Sequence, residues 1–155
     1  LVIQQRYNFS KGKAINVAVV VDHNKKFRWV VANSGIDDET AFKRSLLCAQ
    51  FKNGEKMGFL IGDDAYKAES FLLTPSGSCE EGDPKADAVR SAHKIVEETI
   101  ASWKLQFPIL NSEIPLSSKV ARIILGTAAL YNLTRAEGEA LFTVDEETDL
   151  TSLLQ

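Results

Sequence analysis

Long hydrophobic runs are missing from this 155-residue chain. The longest stretches, at residues 17–21, 71–73 and 123–125, fall far short of the roughly 20 apolar residues a membrane helix needs. No membrane role is expected. Cysteine is scarce, with only Cys48 and Cys79 present. One disulfide is open to them, but two free thiols in a reducing compartment are the expected state. No basic, apolar, small-residue leader opens the chain, so nothing argues for secretion. Leu1 stands where a complete protein would show methionine, as expected of a piece of a longer protein. Internal repeats are absent, and the net charge is only -3. With 45% hydrophobic and 25% charged residues, the composition is that of one globular domain with its own core.

The small net charge is unevenly placed. Residues 133–155 carry six acids (Glu137, Glu139, Asp145, Glu146, Glu147, Asp149) and one base, Arg135. That tail is about -5 and the body before it about +2. A protein held to DNA mainly through phosphate contacts is usually more basic. A general nucleic-acid coat is therefore not supported, although a local basic patch is compatible with these numbers.

The first half reads as strands. Residues 14–21 (AINVAVVV) are β-branched and nearly continuous, as in a strand buried on both faces. A polar turn at 22–25 leads to a second strand at 27–32 (FRWVVA), which predicts an antiparallel hairpin. Lys11, Gly12 and Lys13 fit a loop before it. After the break at 33–35, one helix is expected, capped by Asp37 or Asp38 and ended by Asn53-Gly54. Residues 57–61 (MGFLI) read as a short buried strand, residues 71–73 as another apolar run, and 76–84 as a surface loop. A long helix is expected from about 85 to 104, with Val89, Ala92, Ile95, Val96, Thr99, Ile100 and Trp103 on one stripe and Pro108 as its stop. A second helix is expected over 117–130, burying Val120, Ile123, Ile124, Thr127 and Leu130. This order implies an α/β fold in which helices cover a mixed sheet.

Three acids fall where elements end or expose side chains: Asp38 after the second strand, Asp63 after the third, and Glu97 on the long helix. Carboxylate oxygens suit hard cations such as magnesium or manganese. Two such ions can activate a water and stabilise an in-line phosphoryl transfer. The plainer readings are a helix cap for Asp38 and a solvated face shared with Lys94 for Glu97.

Several blocks then resemble Harbinger-type transposases. GDDAYKAESFLLTP (62–75) is similar to that family's GDxxYP followed by LLTP. VEETIASWKLQFPIL (96–110) resembles its VE, lysine and RFxIL, with Glu97, Lys104, Phe107, Ile109 and Leu110 in register. YNFSKGKAINVAVVVDHNKKFRWV (7–30) resembles YxxRKGxxSxNVQxVxDxxxxF, and SGIDDETAF (34–42) resembles PGSxHDxxxF. AALYNL (128–133) is similar to the family's LHN helix. The blocks stand in the family's order over most of residues 7–133.

The resemblance implies an RNase H-like mixed sheet flanked by helices, a DDE triad and two bound magnesium or manganese ions. Asp38 falls on the second catalytic aspartate and Glu97 on the third acid, both as metal ligands. Asp63 falls on the GD motif and is read as supporting, together with His93 and Lys104. The family's first aspartate lies on the strand before the Tyr7 block. No residue here is assigned to it, so the first strand is expected to be missing or incomplete, with residues 1–4 as its tail. The expected division is a nuclease-like domain over 1–133 and an acidic tail over 134–155.

Departures weigh against full activity. Asp37 replaces a histidine, Ser34 a proline and Tyr131 the histidine of LHN. His93 and Gln106 replace arginines, and a guanidinium fork is what matches phosphate oxygens. Three readings follow. One is a domesticated domain, weakly active or inactive, serving as a nuclear protein-interaction scaffold; a Myb-like DNA-binding partner is implied by the resemblance. Another is an active divalent-metal-dependent DNA endonuclease or transposase. The third is a non-catalytic nucleic-acid binder using the basic hairpin residues Lys11, Lys13, Lys25, Lys26 and Arg28. His23 reads as a solvated turn residue, and Trp29 and Trp103 as core. The acidic tail, with Leu150, Leu153 and Leu154, reads equally as a docking peptide or a frayed end. The whole reading requires the side chains of residues 38 and 97 to be neighbours beside the same β-layer.

Overall fold

A computed structural model describes residues 2–9, 13–33, 36–75, 84–112 and 117–138. Its first three strands are β1 (Val2–Phe9), β2 (Lys13–Val21) and β3 (Phe27–Asn33), an antiparallel meander with β2 in the middle. Val2 lies opposite Val20, and Val20 lies opposite Trp29 on the other side. β1 runs unbroken through Tyr7, so residues 2–4 belong to that strand and are not the end of a separate one. The expected hairpin is β2–β3. Its turn is tied by Asp22, whose carboxylate accepts from the backbone of Asn24 and Lys26, and Lys25 takes the left-handed φ of 59°.

The valine run explains the architecture. Successive side chains of a strand point to opposite faces, and both faces of β2 are covered. Val17, Val19 and Val21 enter one cluster with Val96, Ile100, Trp103, Leu110, Val120, Ile124 and Tyr131. Val20 enters a second cluster with Phe42, Cys48, Leu60, Tyr66, Phe71 and Leu72.

Two long helices build the first cluster. They are α3 (Pro84–Gln106) and α4 (Ser117–Ala136), joined past Pro108 by a 3₁₀ turn, Pro108–Asn111. The expected stripe of α3 is buried at Val89, Val96, Thr99, Ile100 and Trp103. The Phe27 ring meets Trp103 edge-on at 4.9 Å and lies 5.4 Å from Tyr131. α4 runs past the expected end at 130 and through position 133 to Ala136. Leu130, expected on its buried face, is 53% exposed. The buried line passes through Ile124, Thr127, Ala128 and Tyr131, and one residue's turn of about 100° carries Leu130 off it.

The second cluster is built from short pieces: α1 (Asp38–Lys43), α2 (Leu46–Lys52), β4 (Leu60–Ile61) and β5 (Leu72–Leu73). The single helix expected over this stretch is two. Ser45 divides it, accepting from the Cys48 N–H at 3.1 Å and donating to the Phe42 carbonyl at 2.6 Å. A serine at a local cap competes with the helix ladder. Cys48 is buried with a free thiol. The strand expected at 57–61 shrinks to two residues, because Gly58 sits at φ 107° and Met57 and Phe59 are 94% and 68% exposed. β4 and β5 pair in parallel as a sheet of their own, separate from the meander. The whole is a mixed α/β fold of helices on small sheets. The expected loop at 76–83, Cys79 and the tail at 139–155 lie outside the described residues.

Candidate functional site

Asp38 is the first residue of α1 and is buried, 6% exposed. The capping role lies one residue earlier. The Asp37 carboxylate accepts from the Thr40 N–H at 2.9 Å and from the Thr40 hydroxyl at 2.8 Å. Those two hydrogen bonds favour the charged form and hold Asp37 below the ordinary carboxylate value. The reading of Asp38 as the cap is therefore corrected: the serial pair Asp37-Asp38 divides its labour, one acid satisfying the helix end and the other turned inward.

Asp63 leaves β4 two residues past its end and folds the chain back. Its carboxylate accepts from the Ala65 N–H at 3.0 Å, and its carbonyl accepts from the Tyr66 N–H at 3.2 Å. This tight turn aims Tyr66 back into the second cluster. The glycine of the Gly62-Asp63 pair has a packing reason. A Cβ at Gly62 would meet the Tyr66 ring at 3.2 Å and the Leu72 side chain at 3.3 Å.

Tyr66 lies within the electrostatic reach of both acids. Its ring packs edge-on to Phe42 at 6.0 Å, and its buried hydroxyl has no hydrogen-bond partner among the described residues. Burial raises its pKa first, and the negative charges of Asp38 and then Asp63 raise it further. The phenol therefore stays protonated. Sequence reasoning passed over Tyr66, although the tyrosine stands inside the quoted GDDAYKAE string.

Glu97 is carried by α3, which touches both β2 and β4. It is exposed on α3, whose buried residues enter the first cluster, whereas α1 delivers Phe42 to the second. The helices carrying Asp38 and Glu97 thus send their apolar side chains to clusters on opposite faces of β2. His93, one turn before Glu97, is half-buried and its Nε2 is without a hydrogen-bond partner among the described residues. Lys104, also half-buried and engaged within the fold, has its ammonium pushed below the ordinary lysine value by burial. Among the described residues, no three His, Cys, Asp or Glu side chains come together closely enough to hold a metal ion. The groups present do not by themselves form the carboxylate cage a two-metal centre needs.

The basic hairpin is engaged within the chain. Lys25 Nζ pairs with Glu98 at 3.0 Å, and Arg28 lies 3.9 Å from Asp22. Glu98 also reaches Lys94 at 4.0 Å, and its carboxyl is held below the ordinary value, first by the Lys25 hydrogen bond. Lys26 is half-buried and His23 exposed in the turn. Lys13 opens β2, and Lys11 lies outside the described residues. Two further departures have structural accounts. Gln106 donates to the Thr134 hydroxyl at 3.2 Å, tying the ends of α3 and α4, and Tyr131 is fully buried against Phe27.

The family model of the DDE superfamily endonucleases matches residues 3–132, and the chain belongs to that family. Members of this family typically use a divalent metal. Comparison with curated proteins and with solved structures returns no match.

Proposed function

We propose that this is the nuclease-like domain of a Harbinger-type member of the DDE family, with an RNase H-like ancestry, domesticated and no longer able to cut DNA. It acts in the nucleus as a scaffold for other proteins, a Myb-like DNA-binding protein among them. One observation carries the reading: the acids at the family's second and third positions, Asp38 and Glu97, sit on helices whose buried residues enter separate clusters. The loss of arginines at His93 and Gln106, the latter now a structural link, agrees with it.

The test uses the full-length protein and supercoiled plasmid, with magnesium or manganese. No nicking above background is expected. Metal-dependent nicking that vanishes with Asp38→Ala overturns the reading. A fluorescent fusion of the full-length protein checks the nuclear placement.

A second reading, a working divalent-metal endonuclease, is favoured by one specific feature. Asp38 is relieved of capping by Asp37 and is itself buried. In that case Asp38→Ala, Asp63→Ala and Glu97→Ala all abolish nicking, and Asp63 is promoted from a supporting role to a ligand.

A further inference from the structure

Among the described residues, the outward face of α4 has no partner. Its inner face is consumed by Val120, Ile124, Thr127, Ala128 and Tyr131. On the other side Leu125, Leu130 and Leu133 are 47%, 53% and 56% exposed, with exposed Gly126 and Ala129 between them. At 3.6 residues per turn these five positions share one continuous stripe. An amphipathic surface helix should carry polar residues there.

Gly126 is the second observation. It sits in the interior of a 20-residue helix, where glycine is a poor helix former. Nothing among the described residues calls for it, because a Cβ at that position would meet no atom within 4 Å. A residue that weakens the helix without serving its own fold is explained by close approach from outside. Small side chains at a contact let two helix axes come nearer together.

The charges say what approaches. The stripe begins with Lys119 and Arg122, both exposed, and exposed Glu137 follows in the turn one residue past the end of α4. None of the three takes part in a salt bridge among the described residues. A face that is basic at one end, apolar in the middle and acidic at the other complements itself when reversed. Antiparallel pairing about the middle of the stripe sets Leu125 opposite Leu130 and Gly126 opposite Ala129, and it brings Lys119 beside Glu137 of the other copy. It also opposes the two helix macrodipoles, the favourable arrangement.

We infer that this face binds a second copy of this chain, through an isologous, two-fold pairing of α4 with α4. The inference does not depend on whether the protein cuts DNA. One helix face is small beside specific interfaces of about 1,200–2,000 Å², so a dimer with a Kd of about 1–100 μM is expected.

Sedimentation equilibrium or light scattering of the 155-residue chain tests it, up to about 300 μM, well above that range. A concentration-dependent dimer is expected. Leu125→Glu with Leu130→Glu should leave a monomer, with the circular dichroism of the parent, since both side chains are exposed. Gly126→Leu separates association from folding: it improves helix propensity yet fills the contact, and should weaken the dimer at least tenfold. Glu137→Lys should weaken it, and adding Lys119→Glu and Arg122→Glu should restore it. A chain that stays monomeric throughout overturns the proposal. So does a dimer that survives both the paired glutamates and Gly126→Leu, or one that the charge exchange does not restore.

Discussion

The two faces of the meander are built differently from the same strand. The face carrying Val17 and Val19 is closed by helices of 23 and 20 residues, with Trp103, Tyr131 and Phe27 locked together. The face carrying Val20 is closed by helices of 6 and 7 residues and two-residue strands. It also holds the buried carboxylate of Asp38 and the unpartnered hydroxyl of Tyr66. Long amphipathic helices gain apolar burial without demanding polar compensation. Short elements leave more chain ends, and chain ends are where acids and tight turns belong. One face is the stabilising half of the molecule, and the other holds the buried acid and the tight turns.

The largest expected effect lies on the first face. Trp103→Ala should cost about 5 kcal/mol and Phe42→Ala about 3 kcal/mol, the upper and lower ends of the range for such truncations, because the short elements can collapse around the lost ring. Urea denaturation of both variants measures the difference, and equal losses would break the comparison.

Next comes Asn132, which clamps the entry of β3 by accepting from the Phe27 N–H at 2.8 Å and donating to the Phe27 carbonyl at 2.7 Å. Asn132→Ala should cost about 1–3 kcal/mol, since it strips a partly buried backbone donor and acceptor together. Asn132→Asp keeps the acceptor and should lose less. On the second face, Tyr66→Phe removes a hydroxyl that makes no hydrogen bond among the described residues. It should be neutral or stabilise by about 1 kcal/mol, with the same urea curve as readout. A clear loss would show that the hydroxyl serves a partner there.

Acid should act through Asp37 and Glu98, both held below their ordinary values in the folded chain. The unfolded chain then binds protons more readily than the folded one. Their contribution is complete above the ordinary carboxylate range, near pH 4, and is lost as pH falls through the folded values. Urea midpoints between pH 7 and pH 3 should fall less steeply in Asp37→Asn than in the parent. The smallest effect is expected from Lys25→Ala. Its pair with Glu98 is surface-exposed, so any loss of stability at low salt should disappear in about 1 M salt.

Much of the first face was legible in the sequence. The stripe Val89, Val96, Thr99, Ile100, Trp103 has an unbroken helical period, and residues 14–21 leave β2 no exposed face, so both readings survive folding. The second face was less legible because its elements are too short to carry a period. Ser45 looked like one more position on a helix until its hydroxyl was seen to cap Cys48. Met57 and Phe59 looked like strand residues by hydropathy, and Gly58 turns them out to solvent. Asp37 and Asp38 are adjacent and chemically identical, so no local pattern separates the cap from the buried acid.

The sequence by itself determined the family, the helical stripes and the strand buried on both sides, because periodicity, β-branching and the order of motifs are properties of neighbours along the chain. Only the tertiary structure decided which acid faces inward, that Tyr66 is buried against Phe42, that Asn132 closes on Phe27, 105 residues away, and that α4 keeps Leu125, Leu130 and Leu133 exposed. Each of these depends on contacts between remote residues, and a local pattern holds no record of what lies across the fold.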